Sequence, residues 1–239
     1  MTHVKLFCVP YAGGSATIFV KWKNYLREYI EIYPVELKGR GKRFVEPFSK
    51  TFEDVVEDSY REIIPHLHDG PYVLFGHSFG SCIIYEVAHK IQLEEQPLPF
   101  HIIFSGRGAP HVTRAGLDFH LLSDSDLKKE VVKLGGTPKE LAENDELFDT
   151  FLPILRSDFT LHATYEHREK SRKLDCPITV FYGEEDAFVQ TNALIGWREV
   201  THQSCEMIGF PGGHFFINDQ VERMMQIMNG ILLGTSNVR

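Results

Sequence analysis

The sequence predicts an α/β protein in which a mostly parallel sheet carries helices on both faces and a helical lid is inserted. First, short apolar runs alternate with longer amphipathic ones along the 239 residues, the pattern of parallel strands joined by crossover helices. Second, residues 76–80, Gly-His-Ser-Phe-Gly, lie between an apolar run and an amphipathic stretch, which indicates strand, sharp turn and helix. Third, roughly seventy residues separate the fourth and fifth predicted strands, far more than one crossover helix needs.

The predicted strands are short apolar runs. They are Lys5–Pro10, Glu31–Glu36, Tyr72–Phe75, His101–Ser105, Ile178–Tyr182 and Ser204–Ile208. The predicted helices begin near Ser15, Thr51, Ser78, Thr191 and Phe216. Thr51 and Asp54 are spaced as in a capping box, with a carboxylate at the third helical position, which supports a helix start at Thr51.

The long segment between the fourth and fifth strands has helix signals of its own. Ser123 suits a helix start, and residues 137–140, Thr-Pro-Lys-Glu, suit a second, with the threonine as cap and the proline in the first turn. A third helical stretch covers residues 145–166. We therefore predict one α/β domain over residues 1–239, with a helical lid over approximately residues 107–172 at the carboxyl edge of the sheet.

A Gly-x-Ser-x-Gly turn between a strand and a helix is typical of the nucleophile elbow of the α/β-hydrolase fold. Ser78 is expected at the strained tip of the turn, while Gly76 and Gly80 occupy positions where a Cβ would collide with the neighbouring helix and strand. The alternative is a glycine-rich turn in which Ser78 only caps the following helix.

A serine nucleophile needs a histidine to take its proton and a carboxylate to orient that histidine, and in this fold the chain order is Ser, Asp or Glu, His. Asp186, three residues past the strand-ending Gly183, is the predicted carboxylate. Glu184 is the second choice, and a solvated acidic turn is the alternative to both. His214, in a glycine-rich loop after the last predicted strand, is the predicted base.

An oxyanion hole needs two backbone N–H donors. Phe79, the residue after the nucleophile, supplies the first in this fold, and the loop after the first strand supplies the second. That loop reads Tyr-Ala-Gly-Gly over residues 11–14, and we assign the second donor to Ala12.

The composition is that of an ordinary globular protein, with 43% apolar and 24% charged residues. The net charge of −8 argues against general nucleic-acid binding, and no apolar stretch is long enough to span a membrane. Four scattered cysteines and the lack of a secretory signal in the chain as given predict a cytoplasmic protein. His66 and His68 form a tight pair without a carboxylate cluster, so no metal and no cofactor are expected. A monomer is expected because no association surface is evident.

Several motifs together resemble those of type II thioesterases, stand-alone α/β-hydrolases associated with non-ribosomal peptide and polyketide synthetases. The resemblance extends from about Leu6 to Phe216, with Lys38 where some family members have proline. It rests on the segments 10–14 (Pro-Tyr-Ala-Gly-Gly), 36–43 (Glu-Leu-Lys-Gly-Arg-Gly-x-Arg), 76–80 (Gly-His-Ser-Phe-Gly), 152–159 (Leu-Pro-x-Leu-Arg-Ser-Asp-Phe) and 212–215 (Gly-Gly-His-Phe).

The resemblance implies hydrolysis of acyl groups from the phosphopantetheine arm of carrier proteins, which clears stalled or mis-primed synthetases. Lys38, Arg40, Lys42 and Arg43 form a basic segment in an acidic protein, and it is either a contact for the carrier or the pantetheine phosphate, or a solvated loop. The apolar side chains of the lid either line an acyl channel or pack the lid onto the body. They are Phe148, Phe151, Leu152, Leu155 and Phe159.

Three other functions remain open at this point. The same motifs permit a thioesterase that releases medium-chain fatty acids from a fatty acid synthase, and a carboxylesterase acting on small esters. From a different class, a non-catalytic interaction module on the same fold is possible, although such a module would have little need of a serine, an aspartate and a histidine at these three places.

Overall fold

The structure, a computed structural model, describes residues 3–112 and 118–233. Six parallel strands form one sheet in the order β2-β1-β3-β4-β5-β6. Each strand lies within two residues of its predicted bounds. The strands are Val4–Val9 (β1), Ile30–Pro34 (β2), Tyr72–His77 (β3), His101–Ser105 (β4), Ile178–Gly183 (β5) and Cys205–Phe210 (β6).

The register of the central strands brings their carboxyl ends to one edge of the sheet. Val9 of β1 lies opposite Gly76 of β3, and the last residues of β3 and β4, His77 and Ser105, lie opposite each other. All residues of these three strands are buried, as expected for parallel strands covered on both faces. The loops that leave this edge therefore start from rigid positions a few ångströms apart.

Helices cover both faces of the sheet, which confirms the predicted fold class. One apolar layer includes residues of α1 and α2, and the other includes residues of α8 and of a 3₁₀ helix over Ala16–Asn24. The α-helices are Phe52–Ile63 (α1), Phe79–Leu93 (α2), Asp124–Lys133 (α3), Lys139–Glu143 (α4), Asp145–Ala163 (α5), Thr191–Ile195 (α6), Phe216–Asp219 (α7) and Val221–Leu233 (α8). Within the described part of the chain, no helix combines the length and the apolar character that crossing a bilayer requires.

The helix expected near Ser15 is a 3₁₀ helix rather than an α-helix. Its buried residues, Ala16, Phe19 and Trp22, recur at every third position, which matches the three residues per turn of a 3₁₀ helix. The buried carboxylate of Glu36 accepts hydrogen bonds from the Ala16 amide and the Ser15 hydroxyl, both at 2.9 Å. Glu36 therefore supplements the hydrogen bonding at the start of this segment.

Helices α3, α4 and α5 fill the segment between β4 and β5, and they share a small apolar core of their own. Ser123 caps α3, but the cap predicted at Thr137 is wrong. Pro138 occupies the N-cap position of α4, and the Thr137 hydroxyl instead donates to the carbonyl of Val131 at 3.3 Å. The domain bounds 1–239 and the lid bounds 107–172 remain predictions, and residues 113–117 of that lid lie outside the described residues.

The capping box at Thr51 yields a testable stability prediction. The Asp54 amide donates to the Thr51 hydroxyl at 3.1 Å, and the Thr51 amide donates to the Asp54 carboxylate at 3.0 Å. Thr51→Ala should lower the free energy of unfolding by about 1 kcal/mol in urea denaturation. Thr150→Ala, at an exposed site inside α5, is the control and should cost nothing, because alanine is the better helix former there. Equal losses for both variants would contradict the assigned cap.

Candidate active site

The turn between β3 and α2 has the geometry expected of a nucleophile elbow. Ser78 has φ +54° and ψ −110°, a conformation that a residue with a Cβ rarely adopts. A Cβ on Gly76 would lie 2.3 Å from the carbonyl oxygen of Gly80, and a Cβ on Gly80 would lie 2.2 Å from that of Val9 in β1. Glycine at both positions therefore lets helix and strand approach closely enough to hold the serine at the tip.

Three side chains that are distant in sequence meet at this tip. The Nε2 atom of His214 lies 2.9 Å from Oγ of Ser78, and its Nδ1 atom lies 2.7 Å from Oδ2 of Asp186. Because a carboxylate only accepts hydrogen bonds, Nδ1 carries a proton, and Nε2 of the neutral ring accepts the serine hydroxyl. This arrangement allows His214 to take the proton of Ser78 while Asp186 stabilises the resulting imidazolium.

The carboxylate at the site is Asp186 and not Glu184. The side chain of Asp186 is fully buried, and its second oxygen accepts the amide of Phe188 at 2.9 Å. Glu184, the second choice from the sequence, is exposed and lies beside Gly209. The turn after β5 thus directs the Asp186 carboxylate into the protein. The alternative of a solvated acidic turn applies only to its neighbours Glu184 and Glu185, which are exposed.

The loop after β1 offers one backbone donor beside Ser78. The Gly14 amide donates to the carbonyl of Tyr11 at 2.8 Å, and the Gly13 amide donates to the Asp158 carboxylate at 2.7 Å. Ala12 lines the same cleft as Ser78, and its amide has no acceptor among the described residues. Phe79 begins α2, where the first amides have no partner inside the helix. Ala12 and Phe79 are therefore both suited to bind an oxyanion.

A buried ion pair holds this loop against helix α5. Arg40 donates to both carboxylate oxygens of Asp158 at 2.5 and 2.6 Å, and to the carbonyl of Gly14 at 3.2 Å. Both side chains are almost completely buried, at 4% and 1% exposure. Because Asp158 also accepts the Gly13 amide, one carboxylate links the loop after β1, the loop after β2 and the helix above them.

This pairing corrects the interpretation of the basic segment. Arg40 is inside the protein and is not available to a carrier or to a pantetheine phosphate. Arg43 is also mostly buried and donates to carboxylates of Glu46, Asp58 and Glu62, while Lys38 pairs with Asp58 at 3.1 Å. The basic charges of the segment are therefore largely neutralised within the fold, and Lys42 is the one of the four that is exposed.

Two clefts meet at Ser78 and His214. One lies between residues 106–112 and 188–193. The other lies beneath the lid and includes Phe119, Phe159 and His162 in its wall. The first is lined by polar and apolar groups alike and the second mainly by apolar ones, and Ser78 and His214 line both.

All of the lid side chains assigned to an acyl channel serve in packing. Phe148 and Leu155 are buried in the apolar core of the lid, and Phe151 and Leu152 pack against that core. The Leu155 side chain also approaches Gly13 closely. Phe159 is the member of the predicted set that lines the cleft containing Ser78. Phe159 also packs against that core, so the packing alternative applies to all five residues, and Phe159 is the one that lines the cleft as well.

The sequence assigned no role to two polar residues at the site, Asp158 and His77, although both lie in motifs that carry the family resemblance. Asp158 lies on the buried face of α5 with Ile154, Leu155 and Leu161. A carboxylate among the apolar residues of a helix face is the sequence signal that could have identified it as a buried, paired charge. His77 ends a fully buried strand next to Ser78. A polar histidine at the end of an otherwise apolar strand is the sequence signal that could have identified it.

The parallel sheet, the strained serine turn and the Ser78–His214–Asp186 hydrogen-bond chain define an α/β-hydrolase with a serine-based site. A family model described as "Thioesterase domain" matches residues 4–232. The chain belongs to this family, which confirms the resemblance seen in its motifs, and it is a hydrolase acting on thioesters.

Individual relatives cover nearly the whole chain. The gramicidin S biosynthesis protein GrsT of Aneurinibacillus migulanus is 35% identical over 94% of this chain and 87% of its own length. The medium-chain S-acyl fatty acid synthase thioesterase of Homo sapiens is 32% identical over 90% of this chain and 81% of its own. Among solved structures, ClbQ from the colibactin NRPS/PKS pathway superposes with a TM-score of 0.93 at 34% identity, covering 98% of this chain and 99% of its own.

Proposed function

We propose that this protein hydrolyses acyl groups from the phosphopantetheine arm of carrier proteins in a non-ribosomal peptide or polyketide synthetase, and so removes acyl groups that block the assembly line. The observation that carries the proposal is the Ser78–His214–Asp186 chain at the junction of two clefts. A carrier-bound thioester has two arms, the acyl group and the pantetheine, and we assign one of the two clefts at Ser78 to each arm. The names of GrsT and ClbQ, which refer to gramicidin S biosynthesis and to an NRPS/PKS pathway, favour this substrate class.

The reaction proceeds through an acyl-serine. Oγ of Ser78 attacks the thioester carbonyl carbon while Nε2 of His214 takes the hydroxyl proton. The amides of Ala12 and Phe79 stabilise the developing oxyanion. The carbon–sulfur bond breaks, and His214 returns the proton to the departing pantetheine thiol. A water molecule then attacks the acyl-serine with His214 again as base, which releases the carboxylic acid and restores Ser78.

A second candidate, release of medium-chain fatty acids from a fatty acid synthase, is favoured by the 32% identity to the human enzyme of that name. Synthetase carriers and fatty acid synthase carriers, each loaded with the same short or medium-length acyl groups, distinguish the two functions. The assigned function predicts at least about a tenfold higher kcat/KM, or 1.4 kcal/mol, for a synthetase carrier than for a fatty acid synthase carrier bearing the same acyl group. The reverse preference would establish the fatty acid candidate.

The choice of leaving group, a thiol or an alcohol, distinguishes a thioesterase from a carboxylesterase acting on small esters. An acyl thioester should be hydrolysed faster than the matching oxygen ester of the same acyl chain, measured with acyl-N-acetylcysteamine and its oxygen analogue. An oxygen ester turned over as fast as the thioester, together with no preference for carrier-bound substrate, would instead indicate a small-ester carboxylesterase.

A further inference from the structure

His77, the residue before the nucleophile, makes hydrogen bonds that the reaction described above does not use. Its side chain has no solvent exposure. Nδ1 lies 2.8 Å from Oγ of Ser105, which ends the neighbouring strand, and Nε2 lies 3.0 Å from the backbone carbonyl oxygen of His214. A single imidazole therefore connects two adjacent strand ends to the loop that carries the proposed base.

The chemistry of the partners determines the direction of both hydrogen bonds. Burial, and to a lesser extent the neighbouring His214, lowers the pKa of His77 well below the ordinary histidine value, so the ring is neutral and has one N–H. A carbonyl oxygen only accepts, so this N–H is on Nε2 and donates to His214. Nδ1 is then the acceptor, and the hydroxyl of Ser105 donates to it.

The surroundings leave the His77 ring little freedom. The rings of Tyr11 and Phe216 pack against it with centroids 5.8 and 5.5 Å away. Gly106 has φ +62°, and a Cβ there would lie 2.6 Å from Cε1 of His77. The chain after Ser105 thus needs glycine both for its backbone conformation and for the space that the imidazole occupies.

Other backbone hydrogen bonds hold the neighbours of His214 in this loop, and among them the Phe216 amide donates to the carbonyl of Gly213 at 3.2 Å. Gly212 and Gly213 precede His214, with φ +108° at Gly212, and glycines give a backbone more accessible conformations than other residues. The Glu185 amide donates to the carbonyl of Gly212 at 3.0 Å on one side of the loop. The bond from His77 fixes the peptide of His214 itself, and it comes from the last residue of β3, next to Ser78.

We propose that His77 is a positioning residue that sets the distance between Nε2 of His214 and Oγ of Ser78 by holding the His214 carbonyl at the end of β3. This inference rests on the proposed function, because it concerns the same proton transfer. Proton transfer depends steeply on this distance, and a displacement of about 1 Å in a catalytic group can cost about 10²-fold in rate. Ser105 contributes indirectly by keeping the N–H of His77 on Nε2.

The test compares three variants for kcat per active site, with active sites counted by fluorophosphonate titration. His77→Phe keeps a ring but removes both polar atoms, and kcat should fall by about 10- to 100-fold with KM little changed. His77→Gln places an amide N–H near the position of Nε2 and should recover kcat to within about fivefold of the wild type. Ser105→Ala retains the imidazole and should give a smaller loss, of about three- to tenfold, which keeps the test available if His77→Phe does not fold.

His101 provides a matched control. It is another buried strand histidine, at the start of β4, and its Nε2 lies 2.8 Å from the hydroxyl of Thr179, away from the site. His101→Phe should lower the melting temperature without changing kcat per active site.

A spectroscopic measurement separates positioning from general stability. The proton on Nδ1 of His214, bonded to Asp186, gives a downfield ¹H resonance, which should shift or broaden in His77→Phe and return in His77→Gln. The proposal is overturned if His77→Phe keeps this resonance and the wild-type kcat per active site, as His101→Phe is expected to do. Loss of all hydrolysis in Ser78→Ala with normal kcat in both His77 variants would leave the proposed function intact and exclude the role of His77.

Discussion

Ser78→Ala is expected to lower kcat for thioester hydrolysis by about 10⁴- to 10⁶-fold while leaving the melting temperature close to that of the wild type. Ser78 supplies the only nucleophile of the proposed mechanism, and His214 has no proton to take without it. The fold should tolerate the change, because the Ser78 hydroxyl bonds His214 and does not cap α2. The measurement is single-turnover hydrolysis of an acyl-carrier thioester, with circular dichroism to check the fold.

The matched control is Ser123→Ala, at the exposed N-cap of α3. It should cost about 1 kcal/mol of stability and no activity. A fluorophosphonate probe should label the wild type and the control but not Ser78→Ala. Near-normal turnover in Ser78→Ala would disprove the assigned nucleophile, and a wild type that neither reacts with the probe nor hydrolyses thioesters would favour the interaction module.

Arg40→Met should lower the free energy of unfolding by about 3–5 kcal/mol. The substitution leaves the Asp158 carboxylate buried without its cation, and the desolvation of that charge is then uncompensated. Two hydrogen bonds to the carboxylate and one to the carbonyl of Gly14 are lost with it. Urea denaturation followed by tryptophan fluorescence measures the difference.

The control for this change is Arg61→Met, since Arg61 pairs with Glu57 on the surface of α1 with its side chain 75% exposed. Exposed pairs are worth at most about 1 kcal/mol. The double variant Arg40→Met/Asp158→Leu should be more stable than Arg40→Met alone, because it removes the unpaired charge. It should not reach the wild type, because the Gly13 amide loses its acceptor. Equal costs for Arg40→Met and Arg61→Met would contradict the buried pair.

Features that depend on a few neighbouring residues could be predicted well. The Thr51–Asp54 cap, the strand-turn-helix around Ser78 and the short buried strands each follow from local spacing, and the structure contains all of them. The local errors also have local causes. A helix was expected to begin near Ser15, but the buried side chains there recur with the period of three of a 3₁₀ helix. Thr137 was taken for a cap because threonine is often one.

The positions of side chains relative to distant parts of the chain were harder to predict. The adjacent charges of the basic segment left two alternatives open, a contact for the carrier or the pantetheine phosphate and a solvated loop. The carboxylates that neutralise Arg43 lie on its own loop and on α1, and the one that neutralises Arg40 lies on α5, more than a hundred positions away. For the lid side chains, both an acyl channel and packing onto the body stayed open, since composition does not tell which face of a helix meets the body.

The sequence by itself determined the order of strands and helices, the elbow at Ser78 and the identity of the side chains that the chemistry requires, because these depend on backbone propensities and on motifs of adjacent residues. Only the tertiary structure decided that Asp186 rather than Glu184 reaches His214, that Arg40 is a buried partner of Asp158, and that His77 bonds the loop of His214. Each of these contacts joins residues far apart in the chain, and its geometry depends on the register of the parallel strands and on the packing of α5 above them.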